Sequence, residues 1–351
     1  MEWEAVIGIE THIQLNTKSK LFSDAPIHRH SRESENPLLS HSREGGNPEN
    51  FNLDPRFRGD DGGSFRGDDG INDKASPNSQ ACLYDLGFPG TLPQLNEAAV
   101  KKAIRFGLAI HADIAKHSTF ARKNYFYPDL PKGYQITQHE QPLIQHGHID
   151  ILLSSNTTKR IKIARAHLEE DSGKTYHFYT PEKMSLDFNR SGIPLLEIVS
   201  EPDLRSPEEA KIYLKTLHAL VTKLGICDGH LEKGQFRADI NVSIRKKGDQ
   251  QLGIRTEIKN LNSFRFTAQA LHYEIERQIA LLTQGKTITQ ETRLYDARKK
   301  ETRTMRLKEE QTEYRYFPEP DLLPLVIEPG WIAATERQKI ALLLMQQNAS
   351  I

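Results

Sequence analysis

VIGIETHIQL, Val6 to Leu15, alternates without a break. Ile7, Ile9, Ile13 and Leu15 share one face, and Gly8, Glu10, His12 and Gln14 share the other. That is the period-two pattern of a half-buried strand. A merely solvated face favours Lys, Thr or Arg, whereas this one carries Glu-x-His. Side chains two apart on a strand point the same way and stand roughly 7 Å apart. Both can therefore reach one cation, the carboxylate suiting Mg2+ and the imidazole adding a nitrogen ligand. The alternative is a solvent-facing pair on an edge strand, and carboxylates further along bear on the choice.

A chain of 351 residues buries a substantial core and fits two domains, or one domain with an appendage. Its 47 basic and 47 acidic residues cancel, so RNA contacts would have to be local. Cys82 and Cys227 lie far apart with no CxxC, which argues against a structural zinc and a disulfide scaffold. A reducing, cytoplasmic setting fits that usage. No apolar run approaches a membrane span. The first strand begins near residue 4, leaving no room for a signal or transit peptide.

From about residue 28 to 73 the composition shifts to Gly, Asn, Asp, Arg and Ser, with HSRE and FRGDDG each occurring twice. Such a segment buries too little to offset its ordering entropy, and it reads as a disordered insertion between two strands. Asn96 is the expected N-cap of a helix reaching about His111. RKNYFYPDLPKGYQI, Arg122 to Ile136, is too rich in Pro and Gly for a strand or helix and is expected to be a structured loop. Its Arg122, Lys123 and Lys132 interleave with Tyr125, Phe126, Tyr127 and Tyr134, a composition suited either to packing or to phosphate and base.

Strands are expected over Ile149–Leu153 and Arg160–His167, the second running into Glu169-Glu170-Asp171. Three adjacent acids read as a solvated turn or as a cation site. Glu197 interrupts the apolar run Ile193 to Val199, where a carboxylate costs several kcal/mol unless paired or metal-bound. Arg190 is the ordinary partner to consider. Ser206-Pro207-Glu208-Glu209 has the form of a capping box opening a helix that ends at Gly225. Arg237 to Arg245 alternates again and continues as a hairpin through Ile254 to Asn260. That hairpin presents Arg237, Asp239, Asn241, Arg255, Glu257 and Lys259 on one face, for solvent or for phosphate, ribose or metal-bound water. A helix over about 262–283, a hairpin over Glu291–Arg306, an extended segment over Glu313–Ile327 and a helix from Trp331 complete the reading.

Taken in order, VIGIETHIQL, RKNYFYPDLPKGYQI, HLEEDSGK, NRSGIPLLEIVSEPDLRSPEEA, TEIKNLNSFRF, QETRLYD and YRYFPEPDLLPLVI resemble the B subunit of the glutamine-dependent aspartyl/glutamyl-tRNA amidotransferase. The resemblance covers nearly all of residues 1–327 outside the insertion. It implies an α+β catalytic domain, a mainly antiparallel sheet cradle with packed helices, and residues 328–351 as the start of a truncated helical C-terminal region. It also implies that ATP and Mg2+ serve to phosphorylate the side-chain carboxylate of Glu-tRNA(Gln) or Asp-tRNA(Asn). Ammonia from an amidase (A) subunit then displaces the phosphate, within a heterotrimer that a small C subunit helps hold together, with no membrane involved.

Carried over by residue, the resemblance puts the metal site and catalytic group at His12, Glu170 and Glu197, with Glu10 beside them. No P-loop is present, so Lys123, Arg190, Arg237 and Lys259 are the expected phosphate contacts, with Asp239 and Asn241 as further substrate contacts. Three features depart from the pattern. EKGQFRADIN keeps only Glu232, Gly234, Arg237, Asp239 and Asn241 of its motif; no zinc is expected; and the chain stops at Ile351 before the family's tRNA-gripping domains. The competing expectation is a truncated, non-catalytic scaffold that binds the amidase.

Overall fold

The computed structural model describes residues 2–27, 75–154, 156–177, 184–259, 261, 263–307 and 311–337. The expected insertion over 28–73 lies outside them. The opening stretch forms β1 (Trp3–Gln14), followed by α1 (Glu97–Ala109). Then come β2 (Asp113–Ile114), β3 (His117–Ser118), β4 (Ala121–Asn124), β5 (Tyr134–Thr137), β6 (Ile144–Leu152) and β7 (Thr158–Glu170). β8 (Lys174–His177), β9 (Met184–Asp187) and β10 (Pro194–Ser200) lead to α2 (Pro207–Lys223). β11 (Phe236–Lys246) and β12 (Thr256–Lys259) precede α3 (Phe264–Thr283). β13 (Glu291–Asp296), β14 (Glu301–Leu307), β15 (Phe317–Pro318) and β16 (Leu325–Val326) follow, and residues 329–337 are helical.

Nine strands make one sheet in the order β14-β13-β12-β11-β1-β10-β7-β6-β2, with β1 at its centre. Every pairing in it is antiparallel except β12 with β13, which α3 connects as a crossover. β1 is therefore not an edge strand. The fold is α+β, with the helices on one face of the sheet.

On that face Ile7, Ile9 and Ile13 of β1, Leu196 and Ile198 of β10, and Ile240 and Val242 of β11 join Tyr213, Leu214 and Leu217 of α2 in one core. Each fully buried Ile contributes about 1.5–3 kcal/mol. A one-residue slip of β1 would turn these out and drive Glu10 and His12 in, so the same pattern that builds the core fixes which side chains face the open side. The helix starts follow the expected chemistry. Asn96 accepts a hydrogen bond from the Ala98 amide (2.9 Å), and Ser206 Oγ accepts one from the Glu209 amide (3.2 Å). The capping box is shifted by one residue, because the Glu209 carboxylate accepts from the Arg205 amide (2.7 Å) instead of closing on Ser206.

Two expectations need correction. Arg122 to Ile136 is not all loop: its ends pair as β4 and β5, with Asn124 opposite Tyr134, and only the Pro/Gly-rich middle is a turn. Glu169, Glu170 and Asp171 are not a solvated turn. All three are buried, at 3, 3 and 4 % exposure: β7 runs three residues past its expected end at His167, and Asp171 follows it directly.

Candidate functional site

Three neighbouring strands put one row of side chains on the open face. His12 of β1 lies opposite Glu197 of β10, and Glu197 lies opposite His167 of β7. Two residues along β7, Glu169 returns to the same face. His12 Nε2 stands 3.3 Å from Glu197 Oε2 and 3.6 Å from Glu169 Oε1. His167 Nε2 stands 3.5 Å from Glu197 and 3.8 Å from Glu169. Donor atoms of His12, Glu169 and Glu197 all lie within 4.8 Å of one another, and among the described residues this is the cluster with the spacing of a metal centre.

Electrostatics sets the ionisation of this cluster. Burial alone would raise the Glu197 carboxyl, but the charge of His167, the hydrogen bond and charge of His12, and Lys123 hold it well below the usual carboxylate range. Glu169 is also lowered: burial and the Glu197 charge push it up, and the His167 hydrogen bond with the charges of Lys123 and His12 more than offset them. For His12, burial would lower the imidazolium, yet Glu197 and then Glu169 carry it up to about 9. Two ionised, buried carboxylates side by side with an imidazole that gives up its proton when a metal binds are a donor set suited to a hard divalent cation such as Mg2+ or Mn2+. The residues present therefore fit the ion.

The structure exchanges one expected ligand for its neighbour. Glu170 lies on the other face of β7, where its carboxylate accepts two hydrogen bonds from Lys132 Nζ (2.5 and 2.7 Å) and one from the Ile136 amide (2.9 Å). It is occupied, and it does not approach His12 or Glu197. Glu169 stands in the place expected for Glu170. Asp171 pairs with Arg237 (2.9 Å) and accepts from Gln14 Nε2 (3.0 Å). Burial works against its ionised form, and the charges of Arg237 and Arg190 overcome it, so its pKa is lowered.

The other expected contacts divide. Glu10, Lys123, Asp239 and Lys259 line the same basin as the cluster, a cavity of about 600 Å3. Lys259 donates to Asp239 (2.7 Å), and Asn241 donates to Glu10 (3.0 Å). Burial opposes the Lys123 ammonium, but Glu169, Tyr316 and Glu197 raise its pKa and keep it charged. Arg190 is not brought into the basin, nor is it the partner of Glu197. It donates to the carbonyls of Ser172 (3.0 Å) and Gly173 (2.7 Å), clamping the turn after β7. Arg237 is committed to Asp171.

Sequence reasoning took Glu170 instead of Glu169 and missed His167, Arg165, Tyr314 and Tyr316, all of which line the basin with Glu169 and Arg255. The signal for Glu169 and His167 was available: Arg165, His167 and Glu169 are spaced by two. Tyr316, stacked on His139 with ring centroids 3.9 Å apart, comes from a segment far along the chain and carried no such signal.

A family model described as the GatB/GatE catalytic domain matches residues 5–46 and 65–333. The chain is similar to proteins named as the B subunit of aspartyl/glutamyl-tRNA(Asn/Gln) amidotransferase. That of Nitrosococcus oceani is 53% identical over 332 residues, covering 95% of this chain and 60% of that protein. That of Coxiella burnetii (strain Dugway 5J108-111) is 51% identical over 338 residues, covering 96% and 62%. That of Alkalilimnicola ehrlichii is 52% identical over 332 residues, covering 95% and 60%. The chain thus spans about 60% of the length of these curated relatives. No helix among the described residues is long and apolar enough to cross a membrane.

Proposed function

The chain belongs to the family of the GatB/GatE catalytic domain, and from that premise we propose that it is the kinase-like part of a tRNA-dependent amidotransferase. In this reading the side-chain carboxylate of Glu-tRNA(Gln) or Asp-tRNA(Asn) attacks the γ-phosphorus of ATP and ADP leaves. Ammonia, released from glutamine by an amidase partner, then attacks the acyl phosphate and inorganic phosphate leaves. The observation that carries the reading is the convergence of His12, Glu169 and Glu197 beside Lys123 on the floor of a polar basin.

His12, Glu169 and Glu197 would hold Mg2+. Such an ion, when bound, offsets phosphate charge and aligns the reacting oxygens. The chain's own residues do the rest. Lys123 and Lys259 supply fixed positive charge where phosphate oxygens accumulate, and burial of the walls strengthens that attraction. Asp239 orients Lys259, and Asn241 orients Glu10. Arg190 and Arg237 act at one remove, holding Asp171 and the turn that fixes the end of β7. Residues 28–73 are read as an insertion; the family match breaks within them, between 46 and 65, and covers the rest.

A second reading has the chain bind the amidase without catalysing. Reconstitution with an amidase partner, a small third component, glutamine, ATP, Mg2+ and Glu-tRNA(Gln), scored for Gln-tRNA, separates the two. The catalytic reading expects product from the wild type and none from Glu197→Gln with assembly intact. Assembly without product from the wild type would establish the scaffold.

A further inference from the structure

The aromatic turn between β4 and β5 takes no part in the chemistry described so far. It builds one wall of a separate cavity of about 270 Å3, lined by Lys123, Tyr125, Tyr127, Asp129, Ser172 and Tyr314 among others. The geometry points to a nucleobase-stacking subsite here, holding the base of one of the reacting nucleotides while Lys123 meets its phosphate or ester end. The identity of the ligand as a nucleotide rests on the function proposed above; the pocket and its chemistry do not.

Four observations converge. The Tyr125 ring lies 5.8 Å from that of Tyr127 at 67° and 6.2 Å from that of Tyr314 at 74°. Both contacts are edge-to-face, so the three rings do not stack on one another. Tyr127, which lines the cavity, is 47 % exposed, an aromatic ring kept at the surface instead of in the core. Lys123 Nζ stands 4.9 Å from the Tyr314 ring and 5.9 Å from the Tyr125 ring, and it lines both this cavity and the basin that holds His12, Glu169 and Glu197. Lys123 thus joins the ring-lined cavity to the reacting centre.

The far wall is built, not incidental. The Gly173 amide donates to the Asp129 carbonyl (2.9 Å), and Arg190 donates to the carbonyls of Ser172 and Gly173. A Cβ on Gly173 would come within 3.0 Å of the Asp129 carbonyl oxygen and of the Phe188 ring, so the close approach requires glycine. This fixes Asp129 and Ser172 as a polar edge: the carboxylate can accept from an exocyclic base amine, and the hydroxyl can donate or accept. Flat rings, a cation at one end and an acceptor at the other suit a base better than a sugar or a simple anion.

Two sources carry that chemistry, the free nucleoside triphosphate and the single-stranded 3′ end of the charged RNA. Two fluorescent probes, 2-aminopurine riboside triphosphate and a cytidylyl-cytidylyl-2-aminopurine trinucleotide, are titrated with the full chain. Saturable quenching of one probe is expected, and which probe responds names the source. Tyr127→Ala is expected to weaken that binding about tenfold or more, and Tyr127→Phe to restore it. Absence of saturable quenching of either probe by the wild type, or equal quenching by Tyr127→Ala, would overturn the subsite. Its fate is separable from that of the proposed function. Quenching that depends on Tyr127 keeps the subsite even if reconstitution yields no Gln-tRNA. Amidation by Tyr127→Ala with unchanged KM for both ATP and charged tRNA removes the subsite and leaves the function standing.

Discussion

Adjacent residues of β7 should behave as opposites when each loses its charge. Glu170 is 3 % exposed, and its carboxylate is the anion against Lys132, whose side chain is 7 % exposed. Glu170→Gln leaves that ammonium buried without its counter-charge, a change that costs about 3–5 kcal/mol. The cost is softened because the amide oxygen of Gln still accepts from the Ile136 amide and can accept from Lys132, which is worth about 1 kcal/mol. The net expectation is about 2–4 kcal/mol of destabilisation. Glu169→Gln removes attraction to His12, His167 and Lys123 but also the repulsion of Glu197, and an amide can keep the Thr137 hydroxyl as donor. These contributions offset to within about 1 kcal/mol. Urea unfolding in chelator at pH 7, followed by the fluorescence of Trp3 and Trp331, measures both. A Glu169→Gln midpoint lower than that of Glu170→Gln would refute the assignment of faces.

Three further outcomes follow from buried groups elsewhere. Lys20 is wholly buried on Asp85 (2.9 Å), and burial lowers its pKa against the pull of that carboxylate. Asp85→Ala should cost about 3–5 kcal/mol in chemical denaturation, and Lys20→Met with Asp85→Leu should regain most of it; equal costs would show that the pair is not the cause. Burial pushes the Cys227 thiol up to about 12, so the folded state holds its proton where the unfolded chain loses it. Stability should therefore be full below pH ~8.5 and fall by about 1.4 kcal/mol per unit above it, a slope that Cys227→Ala removes. Ser206→Ala should lower stability by about 0.5–2 kcal/mol through loss of the cap on the Glu209 amide; no change would mean that Pro207 suffices to start the helix.

The parts of the fold that repeat locally were legible. Alternation in Val6 to Leu15 and in Arg237 to Arg245 gave both central strands and their buried faces, and Asn96 and Ser206 marked helix starts that the structure shares. The pairing of β1 between β10 and β11 was not legible, because register between distant strands depends on contacts that no single stretch encodes. Misplacing the second carboxylate has a plainer cause. Glu169 and Glu170 are chemically identical, and only strand parity from His167 separates them. Asp171 looked solvated because its partners, Arg237 and Arg190, lie 66 and 19 residues away in sequence. Tyr314, which ends a short 3-10 helix over Gln311–Tyr314, and Tyr316 reach the basin from a stretch expected to be Pro-rich and extended, whose composition says nothing of where it passes.

Equilibrium titration with Mn2+, read by electron paramagnetic resonance, tests the metal centre most directly. One saturable site is expected in the wild type, lost in Glu197→Gln and Glu169→Gln and retained in Glu170→Gln. A wild type with no such site, or a site that survives Glu169→Gln and disappears in Glu170→Gln, would contradict it.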